Sequence, residues 1–149
     1  MYKHILIPTD GSELSKKAIA QGVALARALS AGLTFVTVRA PFHAMAGEPE
    51  MVVTMPEEYT AYVHDYLTAE SGARLAAAKA VAEAGGVACE TVDVAHDHVH
   101  RAILETAAEK GCDLIVMASH GRRGISAVVL GSETVKVLTH GNLPVLVCR

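Results

Sequence analysis

The stretch DLIVMASHGRRGISAVVLGSETVKVL, Asp113 to Leu138, joins an apolar strand to a helix through a long polar loop. The run up to Met117 is apolar and rich in branched residues, which favours a β-strand covered on both faces. The run from Ser132 is predicted to be a helix, with Ser132 as its N-cap. About a dozen residues rich in Gly, Ser, Arg and His lie between them, whereas strand-to-helix connections in α/β units usually take roughly 2–6 residues. The loop is therefore a candidate functional segment.

The alternation of strand and helix continues along the whole chain. Strands are predicted, in chain order, in YKHILIPTD, LTFVTV, VACETVDV, CDLIVMAS and LPVLVC. Helices are predicted from Ser12 to a stop at Gly32, from about Pro56 to about Ala84, from about His98 to Lys110 behind an N-cap at Asp97, and from Ser132 to Gly141. This order predicts an α/β fold, an open five-stranded parallel sheet with helices on both faces. No repeat or linker interrupts it, so residues 1–149 are expected to form a single domain.

The predicted second helix carries a stripe of apolar and aromatic residues: Tyr59, Tyr62, Val63, Tyr66 and Leu67. Their spacing places them on one helical face. We expect the tyrosines to pack against the core rather than to form a platform on which a ligand stacks.

Composition excludes several classes of protein. Hydrophobic residues make up 51% of the chain and charged residues 19%, which is typical of a folded globular protein. The net charge of −3 argues against a general nucleic-acid binder, since such proteins normally carry a basic excess. No apolar run approaches the roughly 20 residues that span a bilayer, and the N-terminus lacks a signal-peptide pattern, so a cytoplasmic protein with no membrane partner is expected. The three cysteines form no CxxC pair, which favours reduced, partly buried thiols.

Two of the predicted strands end in residues suited to ligand binding. The first strand ends in Pro8, Thr9 and Asp10, and the fourth runs into Met117–Gly121. In open parallel sheets, ligands bind beyond the carboxyl ends of the strands, where the winding order reverses. Asp10 has two interpretations, a ligand contact or a cap of the turn into the first helix. His120 also has two, a ligand contact or an ordinary loop side chain.

The start of the last predicted helix has the features of a phosphate site. Helix N-termini offer unpaired N–H groups and a partial positive charge. Gly131 permits the close approach of an anion, the hydroxyls of Ser132 and Thr134 are potential donors, and Arg122 and Arg123 add charge. Neither GxxxxGK[ST] nor GxGxxG is present, so this is neither a Walker A loop nor a dinucleotide fingerprint.

The chain resembles the universal stress proteins of the small single-domain kind. The resemblance rests on ILIPTDGS near the N-terminus, on DLIVMASHG followed by nine residues and GS, and on the terminal PVLVCR, and it covers essentially the whole chain. Nucleotide-binding members of this family carry Gly-x-x-Gly, nine residues, and then Gly-Ser or Gly-Thr. Gly121, the nine residues Arg122–Leu130 and Gly131–Ser132 match that pattern. Ala118 stands in place of the first glycine, and its methyl group takes up room where backbone closely approaches a ligand.

The resemblance implies a sheet of strand order 3-2-1-4-5, with an ATP-binding crevice between the ends of strands one and four. It places Asp10 and the backbone at Val38 beside adenine, Met117–Gly121 beside the ribose, and the start of the last helix at the phosphates, with Glu133 acting through its backbone. The predicted nucleotide-binding residues are Pro8, Thr9, Asp10, Val38, Met117, Ala118, Ser119, His120, Gly121, Arg122, Gly131, Ser132, Glu133 and Thr134. Magnesium is expected to accompany the phosphates, because they bring more negative charge than the two arginines offset.

In the implied strand order, the last strand lies at the edge of the sheet. Its residues PVLVC are apolar and carry little that would prevent pairing with another chain. We therefore expect a homodimer joined through Val145–Cys148, since two-fold assemblies are the commonest.

Three functions are compatible with these residues. The leading hypothesis is an ATP-binding regulator of stress survival, in which the nucleotide biases the loop Ala118–Leu130 and the segment Ala40–Met55. The second is a slow ATPase or phosphotransferase, for which His120 and Arg122 are the nearby candidates. The third is a nucleotide-independent, dimeric interaction module with an unidentified protein partner, which Ala118 favours. Nothing resembles a nucleophile with its base, so covalent catalysis has no support.

His96, His98 and His100 lie within five residues of one another and are candidate ligands for a transition metal. The N-cap predicted at Asp97 would spoil a regular geometry for all three. No nearby cysteine or suitably spaced acidic residue completes a ligand set, so a structural role is preferred.

Overall fold

The structure is a computed structural model, and it describes residues 1–41, 55–121 and 130–149. Its strands are β1 (His4–Pro8), β2 (Gly32–Arg39), β3 (Cys89–Ala95), β4 (Leu114–Ala118) and β5 (Val145–Cys148). Its helices are α1 (Glu13–Leu29), α2 (Glu57–Ala84), α3 (Val99–Glu109) and α4 (Ser132–His140). The predicted alternation of strand and helix is confirmed.

The strands form one parallel sheet in the order β3-β2-β1-β4-β5. The predicted fold class and strand order are therefore confirmed. The chain winds outward from β1 through β2 to β3 and then crosses back to β4 and β5. The reversal places the ends of β1 and β4 side by side at the switch point of the sheet.

Residues of the central strands alternate between two hydrophobic clusters, one on each face of the sheet. Ile5 and Ile7 join the cluster beneath α1 and α2, whereas Leu6 joins the cluster beneath α3 and α4. All three side chains are fully buried. A strand covered on both faces needs apolar residues at successive positions, which is why HILIP does not alternate with polar residues.

Of the two predicted ends of α1, only the N-terminal end is confirmed. Ser12 is the N-cap, as predicted, and its Oγ accepts a hydrogen bond from the Ser15 amide at 3.2 Å. The predicted stop at Gly32 is wrong, because the helix ends at Leu29 and Ser30 takes the left-handed conformation with φ 53°. Gly32 is instead the first residue of β2.

The starts of α3 and α4 each lie one residue from the predicted cap. His98, not Asp97, is the N-cap of α3, because His96 Nδ1 accepts a hydrogen bond from the His98 amide at 2.8 Å and turns the chain before the helix. Gly131, not Ser132, is the N-cap of α4, so that Ser132 is the first helical residue.

The tyrosine stripe on α2 does not pack against the core, so the packing prediction is wrong. Tyr59, Tyr62 and Tyr66 are 53%, 69% and 60% exposed, and the first buried residue of the helix is Ser71. At 28 residues α2 is about 42 Å long, far longer than the strands it crosses, so its first turns extend past the sheet. Among the described helices, none is both long and apolar enough to cross a membrane.

Asp113 ties the start of β1 to the start of β4. Its carboxylate accepts hydrogen bonds from the Lys3 amide at 2.8 Å and the His4 amide at 3.0 Å. Burial acts to raise the pKa of Asp113, but the amide donors outweigh it and hold that pKa below its ordinary value.

All three cysteines are free thiols, as the sequence predicts. Cys112 and Cys148 are buried and Cys89 is partly buried. Burial raises the pKa of the Cys112 thiol to about 11, so it stays protonated at neutral pH and acts as a packing residue.

Candidate functional site

A cavity of about 520 Å³ opens at the carboxyl ends of β1 and β4. It lies at the switch point of the sheet, where open α/β folds place their ligands. Its volume falls within the range of about 300–1,000 Å³ that is usual for small-molecule sites. Its described walls come from the ends of β1, β2 and β4 and from the starts of α1, α3 and α4.

The cavity brings together most of the residues that the sequence singles out. Those that line it are Pro8, Thr9, Asp10, Val38, Met117, Ala118, His120, Gly121, Gly131, Ser132, Glu133 and Thr134. Ser119 does not line it, because its side chain is buried against His120, with Oγ 3.1 Å from Nδ1. Arg122, Arg123 and most of the long loop lie outside the described residues, as does most of the segment Ala40–Met55.

Several lining residues were not predicted: Ser15, Val36, Ala40, Val99 and Ile103. Val36 and Ala40 lie two residues before and two residues after Val38, with Ala40 just beyond the end of β2, so period-two spacing was the signal that could have found them. Val99 and Ile103 lie one turn apart on α3, which follows β3 in the chain but packs over β2 and against α4. That proximity arises from the crossover and has no counterpart in local sequence spacing.

The turn after β1 is held by its own hydrogen bonds. Thr37 Oγ1 donates to the Thr9 carbonyl at 2.9 Å, and Thr9 Oγ1 lies 3.1 Å from Ser15 Oγ. Asp10 Oδ1 accepts from the Ser12 amide at 2.9 Å while the residue also lines the cavity. Asp10 therefore caps the turn into α1, one of its two predicted roles, from a position that a ligand would also contact.

Two glycines allow the loop after β4 to pack closely. A Cβ atom on Gly121 would lie 2.5 Å from Asp10 Oδ2, and one on Gly131 would lie 3.0 Å from the His120 Cα and 3.2 Å from the Ser119 carbonyl oxygen. The Gly131 amide also donates to that carbonyl at 2.7 Å. Gly131 was predicted to permit the close approach of an anion. In the structure, protein backbone already lies on the side of Gly131 where a Cβ atom would be.

The first turn of α4 faces the cavity. Among residues 1–41, 55–121 and 130–149, no side chain caps the helix at Gly131, and the Val135 amide makes the first bond back, to the Gly131 carbonyl at 3.0 Å. The amides of the residues before Val135 have no hydrogen-bond acceptor within the helix. The Thr134 hydroxyl, predicted as a ligand donor, instead donates to the Ala118 carbonyl at 3.0 Å.

The side chain of Glu133 turns toward α3. Its Oε2 accepts a hydrogen bond from the His100 amide in the first turn of α3 at 2.9 Å, and its Oε1 accepts from Lys136 Nζ at 2.9 Å. Burial acts to raise the pKa of Glu133, but Lys136 and the His100 amide outweigh it and hold the pKa below its ordinary value. The carboxylate is thus ionised and compensated on the α3 side.

The described lining of the cavity is otherwise acidic or neutral. Asp10 and Glu133 carry carboxylates, and neither lysine nor arginine occurs among the described lining residues. Ala118, the departure from the glycine pattern, is partly buried and packs against the hydrophobic cluster beneath α1 and α2. Part of its methyl group is therefore accommodated by the core.

The histidine rings near α3 form a row. The rings of His96, His98, His100 and His140 follow one another with centroid distances of 6.1, 6.1 and 5.5 Å. Within the described ranges, no group of three or more His, Cys, Asp or Glu side chains is arranged to hold a metal ion.

The geometry defines a doubly wound α/β domain with an open crevice at its switch point and, in that crevice, a helix N-terminus that no described side chain caps. The universal stress protein family model matches residues 1–149, and the chain belongs to that family. It is 32% identical over 149 residues to the universal stress protein YxiE of Bacillus subtilis, covering all of both chains.

Two solved structures place the fold among its relatives. The structure of MJ0577, a universal stress protein of Methanocaldococcus jannaschii, matches with a TM-score of 0.81 and 30% identity, over 99% of this chain and 96% of that one. A universal stress protein in complex with cAMP matches with a TM-score of 0.68 and 25% identity, over 99% of this chain and 97% of that one.

Proposed function

We propose that this protein binds an adenine nucleotide, ATP with magnesium in the first instance, and acts as a nucleotide-responsive regulator of stress survival. The observation that carries the proposal is the uncapped first turn of α4, which faces a cavity large enough for a small-molecule ligand. Unpaired amides together with the positive end of a helix dipole attract phosphate. The cAMP complex of a relative supports the choice of an adenine compound.

The residues that line the cavity differ in chemistry, and we infer the orientation of the nucleotide from this difference. Val36, Val38, Val99 and Ile103 provide apolar lining, which suits the flat faces of adenine. The first turn of α4 provides polar lining, where the amides of Ser132, Glu133 and Thr134 would donate to phosphate oxygens. The ribose would then lie between them, beside Met117 and Ala118.

Magnesium follows from the charge balance. The described lining offers carboxylates and no cationic side chain. A triphosphate would bring several further negative charges, and Mg²⁺ is commonly held by phosphates and water with few protein ligands. The ion would reduce the repulsion between the phosphates and the acidic side chains and would need no preformed cage.

Two substitutions at one position test the phosphate turn. Ser132→Pro removes both the amide hydrogen and the hydroxyl, and Ser132→Ala removes the hydroxyl alone. Proline suits the first position of a helix, and Gly131 before it has φ −61° and ψ 150°, an extended conformation that a following proline accepts. Helix α4 is therefore expected to form in both variants.

A hydrogen bond to a charged group contributes about 1.5–3 kcal/mol, so Ser132→Pro should weaken ATP binding by about 10-fold to 100-fold relative to Ser132→Ala. Equilibrium dialysis with labelled ATP and magnesium measures both affinities, and circular dichroism verifies that both variants fold. Equal affinities for the two variants would show that the Ser132 amide does not contact the phosphates.

The edge strand β5 supports a second proposal, a homodimer. Leu146 is 42% exposed, and Val145 and Val147 are partly buried. No charged residue lies within β5, whereas β3 at the opposite edge carries Glu90 and Asp93. An unguarded apolar edge favours pairing with a second copy of the same strand.

A further inference from the structure

The N-terminal turns of α3 and α4 are joined through one carboxylate. Glu133 belongs to the first turn of α4, yet its Oε2 accepts the His100 amide of α3 at 2.9 Å. The same Oε2 lies 3.4 Å from Nδ1 of the His100 ring. One acidic side chain of α4 thus caps α3 and also faces an imidazole that can carry a positive charge.

The His100 ring is enclosed at this point. Its side chain is 13% exposed, and Nδ1 is buried without a hydrogen bond of acceptable geometry. The neutral ring with its proton on Nδ1 and the doubly protonated ring both present an N–H to the carboxylate, whereas the neutral ring with its proton on Nε2 presents a lone pair. The doubly protonated ring adds a positive charge at the same place.

Other ionisable groups surround the pair among the described residues. They are His98 at the start of α3, Arg101 and Glu105 on α3, and Lys136 and His140 on α4. Together with His100, three of them border a second cavity of about 390 Å³: Arg101, Glu105 and His140. Lys136 is paired with Glu133 Oε1 at 2.9 Å. His100 is the ring among them that contacts Glu133 directly.

We propose that Glu133 is a positioning residue for the phosphate turn, and that the Glu133–His100 pair couples nucleotide binding to protonation of His100. This inference rests on the proposed function. Glu133 fixes the amides of α4 against α3, which also supplies Val99 and Ile103 to the cavity. A phosphate arriving at the first turn of α4 adds negative charge near Glu133, so the protonated imidazole becomes more favourable when the nucleotide is bound. By linkage, the nucleotide binds more tightly as the pH falls.

The positioning role is tested with two substitutions of Glu133. Glu133→Gln keeps an oxygen that can accept the His100 amide, whereas Glu133→Ala removes it. At pH 8 we expect Glu133→Gln to bind ATP within about twofold of wild type and Glu133→Ala to bind about 5-fold to 10-fold more weakly, as expected for the loss of one capping interaction. Equal affinities for Glu133→Ala and wild type would overturn the positioning role.

The coupling is tested by the pH profile of ATP affinity from about pH 5.5 to 8.5, measured by calorimetry in buffers of different ionisation enthalpy. Wild type is compared with His100→Gln, and His64→Gln serves as the matched control, because His64 lies exposed on α2. Comparing variants on the same nucleotide cancels every effect of pH that does not involve residue 100. Two unit charges about 4 Å apart in bulk water alter an equilibrium by about fivefold, so the rise in affinity toward acid should be larger by about that factor in wild type and His64→Gln than in His100→Gln.

Wild type should also take up more protons per bound nucleotide than His100→Gln. Identical profiles and proton uptake for wild type and His100→Gln would overturn the coupling. These outcomes differ from failure of the proposed function, in which wild type binds no nucleotide at any pH.

Discussion

Gly131→Ala adds one methyl group where the end of β4 meets the start of α4. Gly131 has φ −61° and ψ 150°, a conformation that alanine adopts freely. In open space the substitution would stabilise the protein by about 0.4–1 kcal/mol, because it restricts the unfolded chain. In this structure the new Cβ would lie 3.0 Å from the His120 Cα and 3.2 Å from the Ser119 carbonyl oxygen.

Those neighbours are backbone atoms, so relief requires the wall of the cavity to move. Overpacking of this kind costs about 1–3 kcal/mol. The net expectation is a loss of about 1–2 kcal/mol in the free energy of unfolding, together with weaker ATP binding because the displaced wall contains His120. With a urea m-value of about 2 kcal/mol per molar, the unfolding midpoint should fall by about 0.5–1 M.

Gly72→Ala is the matched control for urea denaturation. Gly72 lies within α2, and no atom lies within 4 Å of the place that a Cβ atom would take, so alanine there should stabilise the helix by about 0.5–1 kcal/mol. The close-packing account predicts opposite signs for the two glycines. If Gly131→Ala raised the midpoint as Gly72→Ala does, the reasoning would be refuted.

Three further predictions concern assembly, acid and thiol chemistry. Leu146→Lys should convert the proposed dimer to a monomer in sedimentation equilibrium at micromolar concentration, whereas Val81→Lys on α2, equally exposed at 42%, should not; a monomeric wild type would contradict this. Asp113, whose folded-state pKa lies below 3.8, stabilises the fold above that pH and ceases to do so as the pH falls through the lowered value. Asp113→Asn should therefore lower the urea midpoint at neutral pH, and the difference in midpoint between the variant and wild type should become smaller as the pH falls below the ordinary pKa of an aspartate; a constant difference would contradict this. Iodoacetamide should label Cys112, 6% exposed with a pKa of about 11, only as fast as the protein opens, and labelling measured by mass spectrometry at the rate of a free thiol would contradict its burial.

The strand pattern predicted the fold well because a parallel strand that is buried on both faces must be apolar along its whole length, and few sequences meet that requirement. HILIP and LIVMA must be apolar at successive positions, and the helices between them need their own periodicity. The strand order came from the family resemblance, because alternation alone does not distinguish one winding order from another. Helix ends were less predictable. Asp97 and Ser132 are good N-caps by residue type, but the hydrogen bond from the His98 amide to His96 and the packing of Gly131 against His120 moved each start by one residue.

The candidate site was predictable where it follows strand ends and not where it depends on the packing of distant segments. Thr9, Asp10 and His120 follow β1 and β4 directly, and the sequence singled them out. Val99 reaches the same cavity only because α3 crosses the sheet, and Glu133 meets His100 across 33 positions of the chain. The packing prediction for the tyrosines of α2 was wrong for a different reason. Their helical spacing was recognised correctly, but this part of the helix extends beyond the sheet on which they were expected to pack.

The central claim is that the first turn of α4 holds the phosphates of an adenine nucleotide. Equilibrium dialysis of wild-type protein, freed of any co-purified nucleotide and exposed to labelled ATP with magnesium, tests it directly. We expect one nucleotide per chain with a dissociation constant below about 1 mM, displaced by unlabelled ATP and not by unlabelled cytidine. No retained label at millimolar ATP would contradict the account.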